Sequence, residues 1–216
     1  MARRSGAISV QLDEMDVKRV VWALQGVKNG ARTAIMRSVN KSLTGVKTDM
    51  AKETTKVLNL TQKRVKKDIS VKKANKARLS GVVSSSGRQV NLMQYKAKER
   101  KKGVSVKVLK TGGRKMIPGA FIFVGQNQNK LVGWRKKTKQ NAGYIGTKRK
   151  TRSDAAYAAM PDKYRKPVEA LYGPRIQDIT ARPEIMKKIE NQAGVRLQKE
   201  LAHQTEHLLR KQRGVF

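Results

Sequence analysis

The sequence contains no cysteine, which excludes disulfides, thiolate nucleophiles and cysteine-ligated metal sites. Aromatic residues make up only 5% of its 216 positions, so any core must be built mainly from aliphatic side chains. Acids are scarce too: 15 Asp and Glu stand against 50 Lys and Arg, a formal net charge of +35. No apolar run approaches the roughly 18–20 residues a membrane-spanning helix needs. The opening Met1-Ala2-Arg3-Arg4-Ser5 is not followed by the apolar stretch of a secretory signal, so a cytoplasmic start is expected. There is no G-x-x-x-x-G-K-[ST] phosphate-binding loop. Asp13, Glu14 and Asp16 lie close together, and the dipole of a helix N-terminus accounts for them.

One catalytic pattern is present. His203-Gln204-Thr205-Glu206-His207 matches H-x-x-E-H, which on a helix sets two imidazoles on one face with a glutamate as base. A working zinc site needs a third protein ligand, and no acid follows His207. The pair therefore reads as polar residues on an exposed helix face. No catalytic residue, metal ligand or cofactor is expected, and the chain reads as a non-enzyme.

Hydrophobic residues make up 38%, enough for a folded core. A charge of +35 repels itself in a compact monomer, so an anionic partner should offset it. That charge is unevenly spread. From Thr54 to Ser153 there are 28 basic residues and two acids, Asp68 and Glu99. Three runs stand out: Lys96–Lys102 (with Lys98, Arg100, Lys101 and Lys102), Arg135–Lys139 (Arg135, Lys136, Lys137, Lys139) and Lys148–Arg152 (Lys148, Arg149, Lys150, Arg152). Such runs suit phosphate neutralisation with counterion release and carry no base-reading pattern. Acidic neighbouring subunits are the second reading, and a polybasic membrane contact the third. Trp134 and Tyr144 could stack on a base or sugar, although a strand tryptophan more often closes a hydrophobic hairpin.

Periodicity supplies the elements. Ile8, Val10 and Leu12 alternate as a first strand. Asp13 or Asp16 can cap a helix bearing Val17, Val20, Val21, Leu24 and Val27, ended by Asn29-Gly30. A longer helix over about 31–55 carries the stripe Ile35, Val39, Leu43, Val46 and Met50. The two pack as an antiparallel hairpin or a kinked pair. Thr61 caps a short helix to about Asp68. Strands follow at Ile69–Val71, Leu79–Val83, Val104–Val108, Ala120–Val124 (buried on both faces) and Leu131–Arg135, the last two a hairpin across Gly125–Asn129. Residues 136–165 read as a long basic loop. After the Gly173-Pro174 turn, Pro183 opens a last helix with the stripe Ile185, Ile189, Ala193, Leu197, Leu201 and Leu208.

The class expected is α+β: an antiparallel β-sheet with an N-terminal helical pair and a long C-terminal helix packed on it. The organisation expected is a body over 1–135 (helices within 14–55, strands within 69–135), a basic loop over 136–165, and a Gly-Pro turn with the C-terminal helix over 166–216, together one structural domain.

Several of these segments resemble, in order, the phage minor tail protein Z family. The helix opening Ala31–Lys41 and the segment Thr61–Ile69 are similar to the family's first half. Pro118-Gly119-Ala120-Phe121-Ile122 resembles its "PGAF" stretch, following the basic strand Gly103–Leu109. Leu171-Tyr172-Gly173-Pro174 resembles the Gly-Pro element before its last helix. The likeness runs from about residue 30 to 210, and Trp134–Lys150 departs from the family's pattern in length and composition. What the resemblance implies is a structural virion protein that completes or joins the tail at its head-proximal end, the neck. Implied partners are the tail terminator, tail tube and connector, further copies of the chain (a hexameric ring is expected), and phage DNA bound without sequence preference. No membrane partner is expected. The implied location is the virion tail, with the host cytoplasm during assembly. The competing reading is a stand-alone nucleic-acid-binding protein of host or phage.

Overall fold

The computed structural model describes residues 6–27, 29–125, 128–135 and 168–214. The chain divides into two compact units, one made of Met1–Gln89 with Pro174–Phe216, the other of Val90–Gly173.

The first unit contains β1 (Gly6–Val10), α1 (Glu14–Ala23), α2 (Gly30–Val57), α3 (Gln62–Lys67), β2 (Ile69–Lys72), β3 (Gly81–Ser85), α4 (Ile176–Thr180) and α5 (Pro183–Gln212). Its axis is the pairing of the two long helices. On α2 the stripe Ile35, Val39, Leu43, Val46 and Met50 is fully buried. Its three- and four-residue steps keep those side chains on one face. On α5 the stripe Ile189, Ala193, Leu197, Leu201 and Leu208 is buried in turn, while Ile185 is half-buried. Burial of each large aliphatic side chain stabilises by about 1.5–3 kcal/mol, so these two stripes are a large part of the apolar store of a chain with few aromatics. Two hydroxyls on the buried face of α2 are satisfied within the helix, Ser38 Oγ donating to the Ala34 carbonyl (2.8 Å) and Thr54 Oγ1 to that of Met50 (2.7 Å), whereas the Ser42 hydroxyl is buried without a hydrogen-bond partner.

Ion pairs border the same seam. Lys41 meets Glu200 at 2.8 Å, Arg196 meets Asp49 at 2.7 Å, and Lys188 meets Glu53 at 3.2 Å. Ascending numbers on α2 meet descending numbers on α5, so the helices run antiparallel. Gly45 makes the central pair possible: a Cβ there would come within 2.3 Å of the Arg196 guanidinium, which lies across the glycine to reach Asp49. Burial works against ionisation of the Glu53 carboxyl, but hydrogen bonds and charge attraction from Lys56 and Lys188 prevail and hold it below the ordinary value of 4.5. Its contribution to stability is therefore complete above that value and disappears as pH falls through the lowered one.

The helix starts follow their caps. Asp13 accepts from the Glu14 N–H (2.9 Å), Thr61 accepts from that of Arg64 (3.3 Å), and Pro183 occupies the first turn of α5. Asn29-Gly30 begins α2 rather than ending α1: Asn29 is the N-cap residue in the left-handed region (φ 56°) and Gly30 the first helical residue. Because α1 stops at Ala23, its buried line is short and contains Val20, with Leu24 buried just beyond it. Val21, expected on the inner face, is 47% exposed.

β1, β3 and β2 form an antiparallel sheet in that order. Ile8, Val83 and Val71 lie in one row of its register, and this face, with Ile69 and Val10, turns inward. The second unit holds a 3₁₀ turn (Leu92–Tyr95), β4 (Lys98–Arg100), β5 (Gly103–Val106), β6 (Lys115–Pro118), β7 (Phe121–Val124), β8 (Lys130–Arg135) and β9 (Val168–Ala170). They make two antiparallel sheets, β4-β5-β6 and β7-β8-β9. The class is α+β, with its strands in three small sheets. β7 is half-buried and ends in an exposed Val124, where burial on both faces was expected; among the described residues it is an edge strand, paired only with β8. The β7–β8 hairpin has the expected partners, Phe121 opposite Gly133 and Val124 opposite Lys130.

The Asp49→Ala variant should lose about 1–3 kcal/mol of stability, since it leaves Arg196 without its anion. Thermal or urea unfolding against the parent chain checks this.

Candidate functional site

The first basic run is built into structure. Lys98 and Arg100 stand on β4, an edge strand exposed along its length, and Lys101 and Lys102 form the tight turn into β5. Register assigns their faces. Lys98 pairs with Ser105 and Arg100 with Gly103, while Glu99 pairs with Val104. Side chains directly opposite share a face and alternate along each strand. Lys98 and Arg100 therefore share one face of the hairpin, and Glu99, the acid of β4, belongs to the other. Two features set this geometry. Gly103 has φ +147°, and a Cβ on it would lie 2.1 Å from the Ile117 carbonyl oxygen, so no larger residue fits. Arg114 acts as a pin: it donates to Ser105 Oγ (3.0 Å), the Ser105 carbonyl (2.8 Å) and the Lys96 carbonyl (2.6 Å). Its charge thus ties the ends of this sheet together.

Arg135 ends β8 in the other sheet of the unit. Its guanidinium lies 5.2 Å from the centre of the Phe121 ring, a cation–π distance. Trp134 does not close a buried hairpin: it is 41% exposed, and its indole N–H donates to Glu169 (3.2 Å) across the β8–β9 pair. The aliphatic residues supply the inner packing here, with Val132 fully buried. Lys136, Lys137, Lys139, Lys148, Arg149, Lys150 and Arg152, together with Tyr144 and the 136–165 loop, lie outside the described residues.

An apolar surface went unread in the sequence. On α1, Met15, Val21 and Trp22 are exposed, Trp22 by 77%. On another side of the same helix, an open groove of about 550 Å³ runs between α1 and α5, lined by Val20, Ala23, Leu201, Ala202 and Leu209. Its polar rim is neutralised internally, with Arg19 beside Asp16 (3.6 Å) and Arg210 on Glu206. Exposed large apolar side chains and an apolar groove with a polar border are marks of a protein–protein contact. The helical period of α1 hid it, because a sequence stripe does not say which face meets the core.

His203 and His207 are exposed on α5, and Glu206 is held by Arg210. Among the described residues, no three His, Cys, Asp or Glu side chains gather to hold a metal ion. Also among them, no helix is long and apolar enough to cross a membrane.

A family model decides the identity, matching residues 16–213. The chain belongs to the prophage minor tail protein Z (GPZ) family. No curated protein and no solved structure matches it. Membership of this minor tail protein Z family makes the chain a structural protein of a phage tail, located in the virion tail and in contact with other tail proteins. The match spans both units, including the cationic hairpin and the α1–α5 groove.

Replacing Lys98, Arg100, Lys101 and Lys102 together by Gln should change stability little, within about 0.5 kcal/mol per site, because all four are exposed. Gly103→Ala should lower it by about 1–3 kcal/mol through backbone strain. Parallel thermal melts of the two variants separate surface from scaffold.

Proposed function

We propose that this chain completes or joins the tail at its head-proximal end, where its basic segments contact the DNA that passes through the neck. The observation that carries this reading is the exposed cationic hairpin of a tail protein: Lys98 and Arg100 on one strand face, Lys101 and Lys102 at the turn. Nothing in that hairpin offers a base-reading geometry, so the contact is with phosphates and is independent of sequence. Of the expected contact residues, Lys98, Arg100, Lys101, Lys102 and Arg135 are described, and all five are exposed. The remaining expected contacts, Lys136, Lys137, Lys139, Lys148, Arg149, Lys150 and Arg152, are proposed from their sequence runs.

The apolar α1 surface supports a role among neighbouring subunits. Trp22 and Met15 give a rigid aromatic and an adaptable thioether, both favoured at contact surfaces. The partners in this reading are the tail terminator, the tail tube and the connector, with copies of the chain arranged as a closed ring, six-fold in the simplest case. Such a ring needs two different complementary patches on each subunit.

Antibody labelling of isolated tails, viewed by electron microscopy, tests the position. Label at the head-facing end of each tail is expected. Label at the distal tip, or along the whole tube, overturns the head-proximal assignment.

A further inference from the structure

We infer that the outer face of the β1-β3-β2 sheet in the first unit is a second phosphate-contact surface, one that grips a nucleic-acid duplex independently of the cationic hairpin. This inference rests on the reading that the protein touches DNA, and adds a site to it.

Alternation along the strands fixes which side chains turn outward. Ser9 pairs with Val82, Lys72 with Val82, Ala7 with Ser84, and Ser70 with Ser84. The outer face is thus made of Ala7, Ser9, Ser70, Lys72, Val82 and Ser84, all exposed or half-buried. It is poor in bulky groups and carries hydroxyls, with Ser70 Oγ and Ser84 Oγ 2.8 Å apart. A protein-binding surface needs an apolar or aromatic centre and is depleted in lysine, and this face has the opposite composition. Hydroxyls and lysines are the side chains that contact phosphate oxygens.

Cations bracket the face. At the Ile69 end of β2 stands α3, with Lys63 and Lys67 exposed. At the other end come Lys72 and Lys73, then a turn with Lys76 and Arg78, all exposed. From Gln62 to Gln89 the one acid is Asp68, and Arg64 neutralises it at 2.7 Å. Among the described residues, no carboxylate pairs with the bracketing cations. Ile69 to Lys72 spans about 10 Å at strand rise, close to the roughly 12 Å width of the duplex major groove. The two cation groups can therefore meet phosphates on either side of one groove.

The turn is also held in place. Asn40 on α2 clamps the backbone of Ala74, donating to its carbonyl (3.0 Å) and accepting from its N–H (2.8 Å). Asn75 accepts from the Arg78 N–H through its side chain (2.6 Å), while its own N–H donates to the Arg78 carbonyl (2.8 Å). Lys73, Lys76 and Arg78 thus project from a backbone ordered without a ligand, which spares an ordering cost on binding.

The test is binding of a short random-sequence DNA duplex to the full chain, followed by fluorescence anisotropy across a salt series. The first variant is K72Q/K73Q/K76Q, and the second is Ser70→Glu, which adds a negative charge to the outer face and keeps every cation. A third, K98Q/R100Q/K101Q/K102Q, serves as the comparison. The triple variant should weaken binding about tenfold or more at low salt and reduce the slope of log K against log salt by about 2–3. Ser70→Glu should also weaken binding, with an unchanged melting temperature. Parent-like affinity and slope in both, while the hairpin variant weakens, overturns this surface and leaves the hairpin reading standing. A parent chain that binds no duplex overturns both. Loss of binding to an acidic tail protein, with DNA binding intact in both first-unit variants, overturns the choice of partner.

Discussion

The antiparallel seam between α2 and α5 is the constraint on which the first unit depends. Residues 30–57 and 183–212 are far apart in sequence, and α2 has both the other long helix and the first sheet against it: Gly45, Asp49 and Glu53 meet α5, while Leu43 of its aliphatic stripe lies against Gly81 of β3. With few aromatics available, the buried aliphatic stripes of the two helices supply a large share of the apolar stabilisation. The register of the seam is specified by charge as well as by shape. Arg196 can reach Asp49 only because Gly45 leaves room for its side chain, and the pairs at Glu53 and Glu200 repeat the antiparallel spacing. The first sheet then packs its inner face beneath α2, and its outer face is left for other work.

The scarcity of acids has a structural meaning. Several that the structure describes are engaged by cations or donors of the fold: Asp49, Glu53 and Glu200 along the helix seam, Asp68 on Arg64, Glu206 on Arg210, and Glu169 by the Trp134 indole. Carboxylates are used as local fasteners, and the excess lysines are turned outward. A protein arranged this way repels its own copies except where charge is neutralised or an anion intervenes. The groove between α1 and α5, with both of its acids paired, is such a neutral place. For a minor tail protein Z family member, that combination gives one surface suited to protein and others suited to phosphate.

Much of this was legible in the sequence. The helix stripes, the caps at Asp13 and Thr61, Pro183 at the start of α5 and the β7–β8 hairpin all follow from local chemistry, which the fold obeys. Other parts were not legible, for identifiable reasons. β4 lies within a run of charged residues and β9 is three residues long, so neither has an apolar period to detect. β7 looks fully buried by composition, but its free edge leaves Val124 in solvent. Trp134 is held by a carboxylate 35 residues away, which no local pattern announces. The cations around the first sheet are scattered over α3, β2 and a turn, and only the register of β1, β3 and β2 shows that they flank one hydroxyl face. Contiguous runs drew the eye to residues 96–152, while a surface assembled from separated positions stayed hidden.

The central claim is that a tail protein of this family meets the packaged DNA through its basic surfaces. Cross-linking of DNA to protein in intact, filled virions, with peptide mapping by mass spectrometry, tests it most directly. The account predicts nucleotide adducts on peptides spanning Lys98–Lys102. Recovery of the protein in the tails of filled virions, with cross-links to tail proteins alone and none to DNA, would contradict it.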